Sequence, residues 1–153
     1  MTLQMRAALK VRVHCPVSRE TFAALLRGEL AAIETDVNAA KFLAIIRGRN
    51  PLGDFDLYQG VFEVSLGVEG FTSTIRATPT AGAAGTNTLS PTVVITVYID
   101  AAANRGEVHA CLSALMQAHP WETPVIEFDD QPVQLLVRSA RIHDAKSEGQ
   151  ISK

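Results

Sequence analysis

Two strand–helix units that share one pattern and one order place the strongest constraint on the fold of this chain. In the first, Leu9–His14 alternates apolar and polar residues, and Arg19–Ile33 carries an apolar stripe at helical spacing. In the second, Thr92–Ile99 alternates in the same way, and Asn104 is a good N-cap for a helix that reaches Ala118. In each unit we expect a further strand to follow the helix. The pattern therefore predicts an α+β fold of the ferredoxin-like class, a split βαβ duplication with two helices on one face of an antiparallel sheet.

The middle of the chain predicts additional β-structure. Phe42–Ile46 is interpreted as a short strand. Val61–Val68 alternates, Glu69-Gly70 is interpreted as a tight turn, and Phe71–Thr78 is the expected return strand of a hairpin. We therefore expect the ferredoxin-like core to carry one extra β-hairpin.

The stretches after the hairpin and after the second helix complete the expected plan. Pro79–Pro91 is rich in Gly, Ala, Thr and Ser, and we expect a flexible loop because few apolar groups offset the entropy of ordering it. Val125–Phe128 and Val133–Ile142 are two strand candidates, and the turn-forming residues 129–132 separate them.

Length and charge limit the class of protein. A chain of 153 residues is expected to form one domain, here over 1–143 with a frayed tail at 144–153. Fourteen Lys and Arg against 16 Asp and Glu leave a net charge of −2, with no block of like charge. This balance argues against a nucleic-acid partner and against an anionic membrane partner. No apolar run approaches the roughly 18 residues of a membrane span.

The N-terminus and the cysteines indicate the compartment. Met1–Lys10 has no positive region followed by a hydrophobic block, so it does not resemble a secretory signal. Cys15 and Cys111 lie far apart in apolar contexts, where free cysteine commonly behaves as a small core residue. We expect a cytoplasmic protein with reduced thiols.

The connection that follows the second helix carries the densest group of recognition side chains. It reads His119-Pro120-Trp121-Glu122-Thr123-Pro124. Its two prolines predict a stiff loop. Because His119 precedes a proline, its backbone is pushed out of the helical region and the helix is expected to end there.

This motif and the order of elements resemble the YqfO-type domain and, more remotely, CutA. The related signature of the first group reads His-Pro-Tyr-Glu-Glu-Pro, and CutA proteins carry a similar His-Pro-Tyr-Glu element at the same junction. The resemblance covers the first strand–helix unit and Thr92–Leu136, and Thr123 departs from it by replacing an acid. It implies a ferredoxin-like, PII-like domain in a homo-oligomer, dimeric or trimeric, whose sheet edges pair across subunits. The dimetal chemistry of the larger protein into which YqfO-type domains are often inserted is not carried over.

A divalent metal is one candidate ligand. His119 and Glu122 could supply two ligands to copper or zinc, and His14 or Cys15 could supply others. Adjacent strand residues point to opposite faces, so His14 and Cys15 reach one metal only if the chain bends after them. The alternative is structural, with His119 capping the helix and Glu122 bonding loop amides or a neighbouring subunit.

Three further loop residues are candidates for an interface or a ligand site. Trp121 is an amphipathic anchor that could pack under the loop or against another subunit, and Pro120 and Pro124 flank it. The chain has no Gly-x-Ser-x-Gly, no Walker-type glycine loop and no His-Glu-x-x-His. The leading hypothesis is therefore a non-enzymatic, self-associating, ligand-binding or regulatory module of YqfO/CutA type. The alternatives are a divalent-metal (copper or zinc) binding protein, and an enzyme with a sequence-dispersed site under residues 79–91 acting as a lid.

Overall fold

Four strands and three α-helices make up the described part of the chain, residues 3–138 of a computed structural model. The strands are β1 (Gln4–Pro16), β2 (Glu63–Thr72), β3 (Asn87–Asp100) and β4 (Ile126–Val137). The helices are α1 (Arg19–Leu26), α2 (Ala39–Ile46) and α3 (Arg105–Ala118), and a 3-10 helix covers Leu30–Glu34.

The strands form one antiparallel sheet in the order β2-β3-β1-β4. Alternate residues of the two central strands, such as Val11 of β1 and Ile95 of β3, are fully buried. They pack in one core with helical residues such as Phe42 of α2 and Leu115 of α3. The α+β prediction, with a ferredoxin-like split βαβ order, is confirmed. Among residues 3–138, no helix is long and apolar enough to cross a membrane.

The first strand–helix unit is confirmed at its start and corrected at its end. Ser18 caps α1, since its hydroxyl oxygen accepts a hydrogen bond from the Thr21 amide at 3.0 Å. The helix then ends at Leu26 instead of continuing to Ile33. Gly28 adopts a left-handed conformation, with φ of 83°, which ends a helix at little steric cost.

The second unit is confirmed almost as predicted. β3 contains the whole of Thr92–Ile99, and α3 ends at Ala118. The Asn104 side-chain oxygen accepts hydrogen bonds from the amides of Gly106 and Glu107, at 2.9 and 3.1 Å. These bonds satisfy two of the amides that a helix N-terminus leaves unpaired.

The strand predicted at Phe42–Ile46 is wrong, because these residues belong to α2. Phe42, Leu43 and Ile46 are buried with helical spacing. A short apolar run is compatible with a buried strand or with a buried helix, and its length alone does not separate the two.

The extra hairpin predicted over residues 61–78 is also wrong. β2 runs without a turn through Glu69 and Gly70, and its partner is β3 instead of residues 71–78. Leu66 lies opposite Val93, and Glu69 opposite Ser90. The hairpin that does form is β2–β3, joined by residues 73–86. Residues 87–91, expected within a loop, are the first residues of β3.

The two strands predicted after α3 are one strand, β4. Residues 129–132, expected as a turn, lie inside it and are accommodated by a register shift against β1 between Ala8 and Lys10. The turn-forming residues thus produce an irregularity in the sheet edge instead of a reversal of the chain. The predicted continuation to Ile142 and the tail at 144–153 lie outside the described residues.

Candidate functional site

Two loops meet at the end of the sheet where β1 finishes. The first is the α3–β4 loop, residues 119–125, and the second is the β2–β3 loop, residues 73–86. Between them lies a cleft of about 470 Å³, which we call the two-loop cleft. It is lined by Glu69, Gly70, Phe71, Thr72, Ser73, Thr74, Ala77, Pro79, Thr80, Ala81, Trp121, Glu122, Thr123 and Val125.

His119 fixes the α3–β4 loop to the sheet. Its side chain is 8% exposed, and its Nε2 lies 2.8 Å from the backbone oxygen of His14. Its Nδ1 accepts a hydrogen bond from the Trp121 amide at 3.2 Å. Since a carbonyl oxygen only accepts, Nε2 carries the proton and the ring is neutral. Burial lowers the pKa of His119 below its ordinary value of 6.5, which favours this neutral form.

Direct bonds join the two loops to each other. The Glu122 Oε1 atom accepts a hydrogen bond from the Thr78 amide at 2.6 Å. The Thr80 hydroxyl donates to the backbone oxygen of Pro120 at 2.8 Å. The β2–β3 loop also has internal bonds, including one from the Ser73 hydroxyl to the Ala83 oxygen at 2.8 Å. The walls of the cleft are therefore tied together before any ligand arrives.

An aromatic pair forms one wall of the cleft. The ring of Trp121 lies 5.2 Å from that of Phe71, edge to face, and 5.8 Å from that of His119. Trp121 is half-buried against these residues. Its predicted role as an interface anchor stays a prediction, as does that of Pro120. Pro124 is half-buried and precedes Val125, whose carbonyl accepts a hydrogen bond from the His14 amide at 3.1 Å.

Glu69 contributes the most unusual polar group of the cleft. Its Oε2 atom is buried and has no hydrogen-bond partner among the described residues. Burial raises the pKa of Glu69, and the charge of His14 opposes that rise. A buried carboxylate oxygen without a donor is costly and is uncommon in folded proteins.

The structure separates the predicted metal ligands. Cys15 is fully buried on the helix side of the sheet, and burial, with the charge of Asp36 as a smaller cause, raises the pKa of its thiol to about 12. His14 lies on the opposite face, where its Nε2 is 3.7 Å from a Glu127 oxygen. Both ring nitrogens of His119 are engaged within the protein. Over residues 3–138, no three His, Cys, Asp or Glu residues are grouped to hold a metal ion. The metal site stays a prediction that these contacts do not support.

Sequence reasoning found one wall of the cleft and missed the other. His119, Trp121 and Glu122 stand out because rigid prolines bracket them. Glu69 and Phe71 lie in β2, where the assumed hairpin gave them no role. Nothing local to the sequence marks them, because the residues that they face are about 50 positions away along the chain.

A second, wider groove lies at the other end of α3. It has a volume of about 1130 Å³ and is lined mainly by charged and polar residues. Arg6 forms an ion pair with Asp100 at 2.9 Å, and Arg47 pairs with Glu34 at 2.6 Å. Because neighbouring carboxylates already neutralise these two cations, the groove is the weaker candidate.

Comparisons with known proteins give a likeness at the level of the fold. No protein-family model and no curated protein matches the chain. A solved structure, that of a Bacillus cereus protein related to NIF3, is similar, with a TM-score of 0.52 and 17% identity. The match covers 87% of this chain and 27% of that protein, so the chain spans about a quarter of its length.

This finding corrects the family resemblance drawn from the sequence. The structural neighbour is related to NIF3, so the identification of a YqfO-type, CutA-like or PII-like domain is withdrawn. The motif at residues 119–124 is accounted for here by its own contacts. What the chain shares with the Bacillus cereus protein is the fold.

Proposed function

We propose that this protein is a small-molecule-binding module whose site is the two-loop cleft, and that it acts by binding instead of catalysis. The observation that carries the proposal is a cleft of about 470 Å³ whose two loops are bonded to each other and whose wall is the Trp121–Phe71 pair. Pockets that take drug-sized ligands measure roughly 300–1,000 Å³ and are largely pre-formed.

The side chains of the cleft favour binding over proton-transfer chemistry. The ring of His119 lies 5.8 Å from that of Trp121, and both of its ring nitrogens are hydrogen-bonded within the protein. A general base must be free to accept a proton from its substrate. By contrast, a rigid aromatic wall offers a large apolar contact at little cost in conformational entropy.

The first experiment uses the single tryptophan of the chain as its reporter. Phenethyl alcohol is titrated into the protein while Trp121 emission is recorded, and a fragment of this size is expected to bind in the millimolar range. Phe71→Leu should raise the Kd about two- to tenfold, because it removes an aromatic contact that stabilises the wall. Gln59→Ala, in the wider groove, is the matched control and should leave the Kd unchanged. Unchanged Trp121 emission throughout the titration would rule the proposal out.

Self-association through the edge of β2 is a second candidate role. β2 is an edge strand of ten residues in the described sheet, and it lacks the Lys and Pro residues that commonly protect such edges. Val64, Leu66 and Val68 lie on its helix side and are 37%, 41% and 64% exposed. We propose that a second copy of this chain covers them by antiparallel pairing.

The charges along β2 favour one register of that pairing. A two-fold axis through Gly67 would bring Leu66 against the partner subunit's Val68, so apolar groups would face each other. Moving the axis to Leu66 would bring Glu63 against the partner subunit's Glu69, and like charges directly opposite are destabilising. The apolar contact and the avoided repulsion support the register centred on Gly67.

A further inference from the structure

We infer that the ligand of the two-loop cleft is an organic cation, a compound with an ammonium group attached to an aromatic or aliphatic body. This inference rests on the proposed function and names the ligand class for that site. Three observations carry it: the charge of the lining residues, the place of the Glu69 carboxylate in that lining, and the aromatic wall.

The lining of the cleft carries negative charge alone. Glu69 and Glu122 contribute two carboxyl groups, and the other described lining residues include no Lys, Arg or His. An anionic ligand would meet two like charges at short range. A cation would be attracted by both, and the attraction is stronger than in bulk water because the cleft is partly enclosed.

Glu69 supplies the acceptor for the ammonium group. Glu69 lines the cleft, and its Oε2 atom is sealed from solvent without a hydrogen-bond donor among the described residues, as is the Nε2 atom of His14. An ammonium group carries donors and no acceptor, so it would pair with the Glu69 carboxylate from the cleft side and add its charge to that of His14, which already acts on Glu69. Glu122 is less suited to the role, because its Oε1 already accepts from the Thr78 amide.

The aromatic wall supplies the second contact. Trp121 and Phe71 stand with ring centroids 5.2 Å apart at one side of the cleft. The face of an indole ring attracts a cation through its quadrupole, and quaternary and alkylammonium groups are bound in this way in aromatic sites. Glu69 and Phe71 lie two residues apart on β2 and so project from the same face of the sheet. One ligand can therefore touch the carboxylate and the ring together.

The test compares three probes of nearly equal shape and different charge. Phenethylamine is cationic, phenethyl alcohol is neutral and 3-phenylpropionate is anionic. Their Kd values are measured at physiological salt from the emission of Trp121. We expect the amine to bind about tenfold more tightly than the alcohol, since it adds a hydrogen bond between charged groups. The anion should bind most weakly.

Two matched variants test whether Glu69 causes the preference for the amine. Glu69→Gln should remove the preference for the amine, and a circular dichroism spectrum like that of the wild type shows that the variant is folded. Glu20→Gln, at an exposed position of α1 outside the cleft, should keep the preference. If both variants lose the preference for the amine to the same extent, the preference comes from the overall negative charge of the protein. That result would overturn the role of Glu69.

The outcomes separate this inference from the proposed function. If the alcohol and the amine bind equally, the inference is overturned and the cleft still binds ligands. If neither of them alters Trp121 emission, the proposed function fails together with the inference.

Discussion

At the scale of single residues, the ring of His119 connects the end of α3 to the end of β1. Its proton lies on Nε2 and is donated to the His14 carbonyl, while Nδ1 accepts from the Trp121 amide. A second proton on Nδ1 would replace an acceptor by a donor and break the second bond. The folded state therefore contains the neutral ring. The pKa of His119 is lowered because protonation of the ring is less favourable in the folded state than in the unfolded state.

The pKa of His119 predicts how stability depends on pH. Below the ordinary value of 6.5 the unfolded state binds a proton that the folded state resists, so the contribution of His119 is present at neutral pH and is lost as pH falls below 6.5. His119→Gln, which does not titrate, should be less stable than the wild type at pH 7, with a difference that shrinks towards pH 5. Denaturant unfolding at several pH values measures this difference.

His109, exposed on α3, provides the control for that measurement. The free energy of unfolding of His109→Gln should change with pH as that of the wild type does between pH 7 and pH 5. If the free energy of unfolding of His119→Gln instead stays parallel to that of the wild type from pH 7 to pH 5, the assignment of the neutral ring is wrong.

At the scale of elements, Asp36 joins the starts of two helices. One carboxylate oxygen accepts from the Ser18 amide, at the cap of α1, at 2.9 Å. The other accepts from the amides of Asn38 and Ala39, at the start of α2, both at 3.0 Å. Burial alone would raise the pKa of Asp36, but these bonds outweigh it and hold the pKa below its usual value.

Asp36→Ala should lower the free energy of unfolding by about 2–3 kcal/mol, because it leaves three amides in a partly buried region without an acceptor. Chemical denaturation followed by circular dichroism is the measurement. Asp130→Ala, at an exposed position of β4, should change stability by less than about 0.5 kcal/mol. Comparable losses in the two variants would contradict the capping role of Asp36.

The same scale shows which elements could be predicted from the sequence and why. β3 and α3 were predictable because their periodicity and the Asn104 cap are local signals. α2 was misassigned because five apolar residues, Phe42–Ile46, fit either a strand or a helix. β2 was predicted as two strands because Glu69-Gly70 has the composition of a turn. In the structure, the pairing of β2 with β3 outweighs that local preference. The cleft was half-predicted, since the α3–β4 loop carries its own motif whereas Glu69 and Phe71 are brought to it by the fold.

At the scale of the whole molecule, the exposed edge of β2 predicts a dimer. Multi-angle light scattering at micromolar concentration should give twice the mass of one chain. Leu66→Lys should give the mass of one chain, because it puts a charge where two apolar strands would meet, and circular dichroism should be unchanged since Leu66 is already 41% exposed. Leu136→Lys, exposed on β4, is the control and should stay dimeric. A monomeric wild type would contradict the pairing, and dissociation by Leu136→Lys alone would move the interface to β4.

The cleft also depends on the whole molecule, because its two sets of lining residues lie at least 40 positions apart in the chain and the sheet brings them together. The proposed function requires that a ligand bind in this cleft. The most direct measurement is a map of backbone amide shifts in ¹⁵N-labelled protein during titration with phenethylamine. We predict saturable shifts concentrated at residues 69–81 and 121–125, with the wider groove around Arg6 and Asp100 unaffected. Shifts confined to that groove, or spread evenly over the surface without saturation, would show that the two-loop cleft is not the binding site.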